Sequence, residues 1–389
     1  LAYSLHYVQK NPLLWRSKRS EPQGLALCIL GMQEQMKKLF ATCLDCRYTI
    51  IRAHSKAPRK SEIRMKFLVV GGAGYIGSHM VKQLLSAGHD LVVADNFSTG
   101  YRSALRGGTL VELDIADEQA LDALFAGHHF DAVFHFASFI QVGESVAEPA
   151  KYYQNNFTAT LTLLQAMVRA GVKNFIFSST AAVYGDPVYV PIDEEHPKAA
   201  INPYGRSKWM VEQMLEDFDR AYGLKSVCLR YFNAAGADPE GQLGERHEPE
   251  THLLPLILQA ASGRRATITV YGRDYDTPDG TCIRDYVHVV DLVAAHALAL
   301  DYLLAGGASA AFNLGNGQGF SVQQVIDTAR YVTGQAISVS EAPRRAGDPP
   351  RLVADPRRAN TLLGWHPQFG SLEQIVAHAW SWEQKYPWH

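Results

Sequence analysis

Tyr204 and Lys208 stand four residues apart in the stretch "NPYGRSK", so a helix beginning at Asn202-Pro203 carries both on one face. A phenol that ionises near pH 10 is a poor base at neutral pH, and a neighbouring ammonium favours its anion. Such a pair can accept a proton from an alcohol. Twenty-four residues before Tyr204, the segment "SSTAAVYG" offers Ser178, Ser179 and Thr180, then two chemically inert alanines, Ala181 and Ala182. Taken alone, a tyrosine and a lysine at this spacing describe many amphipathic helices. The surrounding elements must decide.

Those elements begin with "KFLVVGGAGYIGSHMVKQLLSAGHDLVVADN", read as strand, glycine turn, helix and strand. Lys66–Val70 is a short apolar strand. Ile76, Met80, Leu84 and Leu85 recur at helical spacing up to the stop signal at Gly88, and Leu91–Ala94 forms the next strand. Between them Gly71, Gly74 and Gly77 suit a tight turn, close approach of backbone to a pyrophosphate, and close helix–strand packing. The helix N-terminus adds free N–H groups and the positive end of a dipole. Asp95, eighteen positions after Gly77, can accept hydrogen bonds from the adenosine ribose and would repel a 2′-phosphate, which favours NAD over NADP.

Alternation continues through "TLVELD" ending at Asp114, "DAVFHFA" from Asp131, "NFIFS" from Asn174 and "SVCLRYF" from Ser226, with helical patterns over Tyr152–Ala170 and Tyr204–Tyr222. The expected fold is α/β: a Rossmann-like, doubly wound parallel sheet with a smaller C-terminal substrate-binding lobe. Ligands should collect beyond the carboxyl ends of the strands, where Asp95, Asp114, Ser178–Thr180 and Asn233 fall. From about Gly241 the loops lengthen, so residues 65–240 are read as the cofactor domain and 241–389 as the substrate lobe, with some segments returning to the first domain.

Of 389 residues 47% are hydrophobic and 20% charged, ordinary values for a globular enzyme. Residues 1–64 carry 12 Lys/Arg against 4 Asp/Glu, whereas the remainder carries 25 against 35. The acidic body argues against nucleic acid as a partner, and no run of 18 apolar residues suggests a membrane span. Residues 1–64 read as a basic extension, either disordered or upstream of a natural start at Met65, with a targeting segment as the alternative. Five cysteines are too few and scattered for a disulfide scaffold, so a cytoplasmic setting is expected. Cys43 and Cys46 form one CxxC without a second pair, and no metal site is read from the sequence.

Further along, "GGAGYIGSH", "ADN", "HFA", "VGESV", "KYYQNN", "NFIFSST", "AAVYG", "NPYGRSK", "RYFNAAGA", "THLLP", "DYDTPDGTCIRDYVHV", "NLG" and "RRAGD" together resemble the extended short-chain dehydrogenase/reductase family. Within it they are most similar to the sugar-nucleotide epimerases, over everything from about Met65 to the C-terminal helix. The resemblance implies that Tyr204 is the catalytic base, that Lys208 is its electrostatic partner and a nicotinamide-ribose ligand, and that Thr180 hydrogen-bonds the reacting sugar hydroxyl. It implies NAD contacts from Gly71, Gly74, Tyr75, Ile76, Gly77, Asp95, Asn96, Asp114, Ile115, Phe136, Ala137, Asn156 and Phe232, besides Thr180, Tyr204 and Lys208. For the UDP-sugar it implies Asn233, His252, Leu253, Thr269, Val270, Tyr271, Arg284, Arg345, Asp348 and Leu352. The arginines have the firmest physical basis, because a guanidinium fork matches diphosphate oxygens and stays charged. Arg344 reads equally well as a solvated charge, and Asp285 and His288 as supports for the Arg284 strand.

The implied reaction oxidises C4′ of the sugar, turns the 4-keto sugar over about its phosphate linkage and reduces it on the other face. Related 4,6-dehydratases place an Asp–Glu pair directly after the corresponding threonine to eliminate water across C5′ and C6′; Ala181 and Ala182 supply neither acid nor base. Two departures are evident: Ile140 stands where some epimerases have a lysine reaching the cofactor, and Leu352 where some have a bulky tyrosine bordering the sugar. The smaller Leu352 raises the expectation that an N-acetylated sugar fits. The leading reading is therefore a UDP-hexose 4-epimerase holding NAD, expected as a homodimer. A UDP-pentose 4-epimerase is the first alternative. A non-catalytic NAD-binding sensor is a second, with little need for Thr180, Tyr204 and Lys208 together.

Overall fold

The computed structural model describes residues 64–345 and 348–385. Residues 1–63 and the Cys43–Cys46 pair lie outside the described residues. The principal strands are β1 (Lys66–Val70), β2 (Asp90–Asp95), β3 (Thr109–Glu112), β4 (Ala132–His135), β5 (Asn174–Thr180), β6 (Lys225–Tyr231) and β7 (Ala310–Leu314). They pair in the order β7-β6-β5-β4-β1-β2-β3, every pairing parallel. Because β1 is followed outward by β2 on one side and β4 on the other, the winding direction reverses between β1 and β4. In a doubly wound sheet that reversal opens the crevice where ligands bind.

The longer helices are α1 (Tyr75–Ser86), α2 (Glu118–Gly127), α3 (Ala159–Ala170), α4 (Pro203–Tyr222), α5 (Leu253–Ala261), α6 (Val289–Leu304), α7 (Val322–Thr333) and α8 (Leu372–Lys385). Alternation along each strand sends side chains to both faces of the sheet. Phe67 and Val69 join Met80 and Leu84 of α1 and Leu292, Ala295 and Ala299 of α6 in one core layer. Leu68 and Val70 join Leu121 of α2, Leu163 of α3 and Val211 of α4 in the other. Burial on both faces explains the uninterrupted apolar runs in the sequence.

The chain after Gly241 serves two places. Strand β7 closes the sheet edge beside β6, and α6 lies in the first core layer. Meanwhile α5, α7 and α8 enclose a separate cluster around Ile257, Val325, Ile326 and Ile375. The helical stretch before Ala170 also departs from the expected continuous helix. A π turn over Tyr153–Thr158 separates Pro149–Tyr152 from α3, and it carries Asn155 and Asn156. Periodicity cannot reveal one widened turn, which leaves most apolar spacing intact.

Candidate active site

Gly71 ends β1 with φ +75°, and a Cβ there would lie 2.5 Å from the Ala137 nitrogen just beyond β4. A Cβ on Gly77 would lie 2.1 Å from the Gly71 carbonyl oxygen, so only glycine lets α1 begin this close to the turn. The first turn of α1 is entered from Gly74 with no side-chain cap, unlike α2 and α4, which Asp117 and Asn202 cap. The exposed amides suit an anionic diphosphate. At the end of β2, the Asp95 carboxylate accepts hydrogen bonds from Ala73 N and Phe97 N, both at 2.8 Å. Burial nevertheless raises its pKa, against the pull of those two N–H groups. Asp114 accepts from Asn96 Nδ2 at 2.9 Å and from Ala116 N at 2.8 Å. These residues fit a dinucleotide: a glycine cradle, an uncapped helix start and a carboxylate held at the neighbouring strand end.

Other expected cofactor residues contribute differently. Ile115 is buried in the core below the sheet end, and Phe136 packs 4.9 Å from the His296 ring. Tyr75 turns its hydroxyl to the Gly236 carbonyl at 2.7 Å, bracing α1. Ile76 and Phe232 are half-buried packing residues. Asn156, fully buried on the π turn, clasps Phe139 through both its N–H, at 2.9 Å, and its carbonyl, at 3.0 Å, and donates to Ser207 Oγ at 3.2 Å. It fixes the strand end beside α4.

The chemistry-bearing groups meet where β5 ends. Thr180 Oγ1 accepts from Ala182 N at 3.1 Å, and its hydroxyl stands close enough to the Tyr204 phenol to favour the phenolate. Burial raises the Tyr204 pKa, and the Thr180 hydroxyl opposes that rise. The expected lowering by Lys208 is not the dominant effect. Lys208 Nζ donates instead to Ser138 Oγ and to the Ser178 carbonyl, each at 2.7 Å. Burial pulls the ammonium itself down to about 7, although Glu212 counteracts. A buried lysine with two of its three donors engaged elsewhere has less power over a neighbouring phenol.

Of the three hydroxyls, Thr180 is the one set against Tyr204. Ser179 is buried and donates to Glu212, which Arg230 grips through Nε at 3.0 Å and Nη2 at 2.5 Å. Arg230 Nη1 also donates to the Tyr184 hydroxyl at 2.9 Å, and Tyr184 donates to Asn313 at 2.6 Å. The sequence reading missed Ser138, Glu212 and Arg230. Glu212 was available as a signal, lying four residues beyond Lys208 and eight beyond Tyr204 on the same helix face. Ser138 and Arg230 meet the site only through the fold.

Among the expected UDP-sugar residues, Arg284 Nη2 lies 3.2 Å from Asp348 Oδ1, with Nη1 donating to the Pro349 carbonyl at 2.9 Å. Arg345 stacks over Tyr271 at 3.9 Å, whereas Arg344 pairs with the exposed Asp274. Thr269 bonds Ser340 at 3.0 Å, and Val270 is buried in the cluster around Ile257 and Val325, so its side chain faces away from solvent. Asn233 donates to the Asp285 carbonyl at 2.8 Å. Asp285, fully buried, receives N–H bonds from Asn316, Gly317 and Ala354; burial lifts it to about 6 against their pull. His288 caps α6, accepting from Val290 N at 3.1 Å. Leu352 packs against the cluster of Val183, Tyr184 and Ile192 that also includes Ala181, next to the turn that follows β5.

Leu253 opens α5, and His252 stands at its N-cap, but the imidazole is already engaged: Nδ1 lies 2.7 Å from Glu245 Oε1. Burial opposes a charge on this ring, yet Glu245 and Glu250 push its pKa up to about 10. His247, 3.3 Å from the same Glu245 oxygen, is pushed up to about 9 despite burial. This four-residue group was not anticipated from the sequence, although Glu245-Arg246-His247 and Glu250-Thr251-His252 repeat one E-x-H unit.

A parallel doubly wound sheet with a glycine cradle at its switch point, and a Thr–Tyr–Lys group at the next strand end, define a nucleotide-cofactor enzyme of the short-chain dehydrogenase/reductase class. Residues 67–315 match the NAD dependent epimerase/dehydratase family, and the chain belongs to that family. It is 52% identical over 323 residues to the UDP-glucose 4-epimerase of Halalkalibacterium halodurans, covering 83% of this chain and 97% of that protein. A solved UDP-glucose 4-epimerase from Brucella ovis in complex with NAD superposes with TM-score 0.80 at 50% identity, over 81% of this chain and 97% of that one. The UDP-Glc/GlcNAc 4-epimerase of Campylobacter jejuni superposes with TM-score 0.74 at 45% identity, over 83% and 100%. Among the described residues no helix is long and apolar enough to cross a membrane.

Proposed function

We propose that this chain is an NAD-dependent UDP-glucose 4-epimerase that interconverts UDP-galactose and UDP-glucose. The observation that carries the reading is the junction of Thr180, Tyr204 and Lys208 at the end of β5, beside the glycine cradle and followed by two alanines. NAD, when bound, supplies an acceptor for the C4′ hydride that can also return it. Tyr204 takes the 4′-hydroxyl proton and gives it back, with Thr180 aligning the hydroxyl. Lys208 is held by Ser138 and the Ser178 carbonyl, where its ammonium can meet the nicotinamide ribose. Arg284, Arg345 and Asn233 hold the nucleotide while the 4-keto sugar turns over. Ala181 and Ala182 leave that ketone without an acid or base for elimination.

In this reading residues 65–240 chiefly hold the cofactor and 241–389 the UDP-sugar. The active form is a cytoplasmic homodimer pairing the helices around Ala159–Ala170 and Pro203–Tyr222, to be tested by light scattering. A second reading, tolerance of N-acetylated sugars, is favoured by the modest Leu352 beside the catalytic turn and by the Campylobacter relative. Equal kinetics on UDP-galactose and its N-acetyl counterpart would support it, and complete rejection of the latter would remove it. A UDP-pentose substrate would use the same residues. The decisive assay incubates purified protein with UDP-galactose and no added NAD. UDP-glucose should form, and appearance of a 4-keto-6-deoxy sugar would sink the reading.

A further inference from the structure

Outside the catalytic group, the described residues bring Glu245, His247, Glu250 and His252 together so that one ligand-type atom from each lies within 4.8 Å of the others. Both glutamate side chains are nearly buried, at 7% and 5% exposure. The two imidazoles converge by their Nδ1 atoms: His252 Nδ1 lies 2.7 Å from Glu245 and 3.4 Å from Glu250, and His247 Nδ1 lies 3.3 Å and 3.6 Å from them. Yet both Nδ1 atoms are buried without hydrogen-bonding geometry to any partner. The two nitrogens stand at ion-pair distance from both carboxylates without a well-aligned hydrogen bond to either, so four ligand-type atoms surround one point rather than forming two discrete pairs.

We propose that these four residues form a binding site for a divalent transition-metal ion of the zinc type. A tetrahedral ion with bonds of about 2.0–2.2 Å needs ligand atoms roughly 3.4 Å apart. The observed N···O separations of 2.7–3.6 Å bracket that spacing. A divalent cation binding here displaces the proton that each imidazole carries beside the glutamates, so the group keeps its net charge. The imidazoles favour zinc and its neighbours over magnesium or calcium, which prefer all-oxygen shells. The ion would clip the loop from Glu245 to the start of α5, and so fix Leu253 beside it. It takes no part in the proton and hydride transfers assigned to Tyr204 and the cofactor.

The test strips purified full-length protein with a chelator, then titrates it with Zn²⁺ by calorimetry and with Co²⁺ by visible absorption. To silence the separate CxxC pair, it is done on a Cys43→Ser/Cys46→Ser background. One equivalent should bind, with the absorption of four-coordinate cobalt. Glu250→Gln and His247→Ala should each weaken binding by at least ~10–100-fold, the loss seen even for outer-shell partners of a metal. Circular dichroism and retained NAD would show that these variants fold. Absence of stoichiometric binding in the parent, or binding unchanged in both variants, overturns the proposal.

Discussion

Lys208 and Tyr204 share a helix face, as their spacing requires, but the structure divides their electrostatics differently from a simple ammonium–phenol pair. Lys208 binds Ser138 and the Ser178 carbonyl, and Thr180 is the group that favours the phenolate. Tyr204→Phe should therefore retain the fold and bound NAD while lowering kcat by about 10²–10⁴-fold, the usual contribution of a proton-transfer group. Steady-state assays together with cofactor content check this, and full activity would clear Tyr204 of its role. The residue types at this site were readable because acid–base chemistry demands a particular functional group. Ser138 was not, because any nearby oxygen could have met the ammonium.

At the scale of elements, the Glu212–Arg230 pair ties α4 to β6 and, through Ser179, to β5. Its side chains are only 4% exposed, so removing one partner strands a buried charge. Arg230→Met should destabilise the fold by about 3–5 kcal/mol, measured by urea unfolding. Arg230→Met/Glu212→Gln should recover part of that loss; an equal or larger loss would refute the stranded-charge explanation. The strands and helices were legible from apolar periodicity, which records burial directly. The π turn at Tyr153–Thr158 was not, since it leaves most apolar spacing intact, and its Asn156 meets Phe139 only in the folded chain.

For the whole molecule, four buried histidines shape the acid limb of stability. Burial lowers His79 and His296 to about 4 and His135 and His288 to about 3. In the unfolded chain each titrates near 6.5. Between these values the unfolded state binds more protons, so this contribution is complete above about pH 6.5 and is lost as pH falls towards 4. Each histidine can contribute about 1.4 kcal/mol per pH unit in that window. The urea midpoint should decline between pH 6.5 and 5, and His296→Gln should flatten the decline. A midpoint constant over that range in the parent protein would contradict the assignment.

By itself the sequence determined the class of fold, the glycine turn with Asp95, and the sharing of one helix face by Tyr204 and Lys208, because each depends on local spacing. Only the tertiary structure decided which hydroxyl faces Tyr204. Ser179 and Thr180 are adjacent in the chain, but successive strand residues point to opposite faces, and Glu212 and Arg230 claim the first. The two E-x-H units likewise became a four-ligand group only when the loop before α5 folded back on itself, since ligand geometry depends on distances in space.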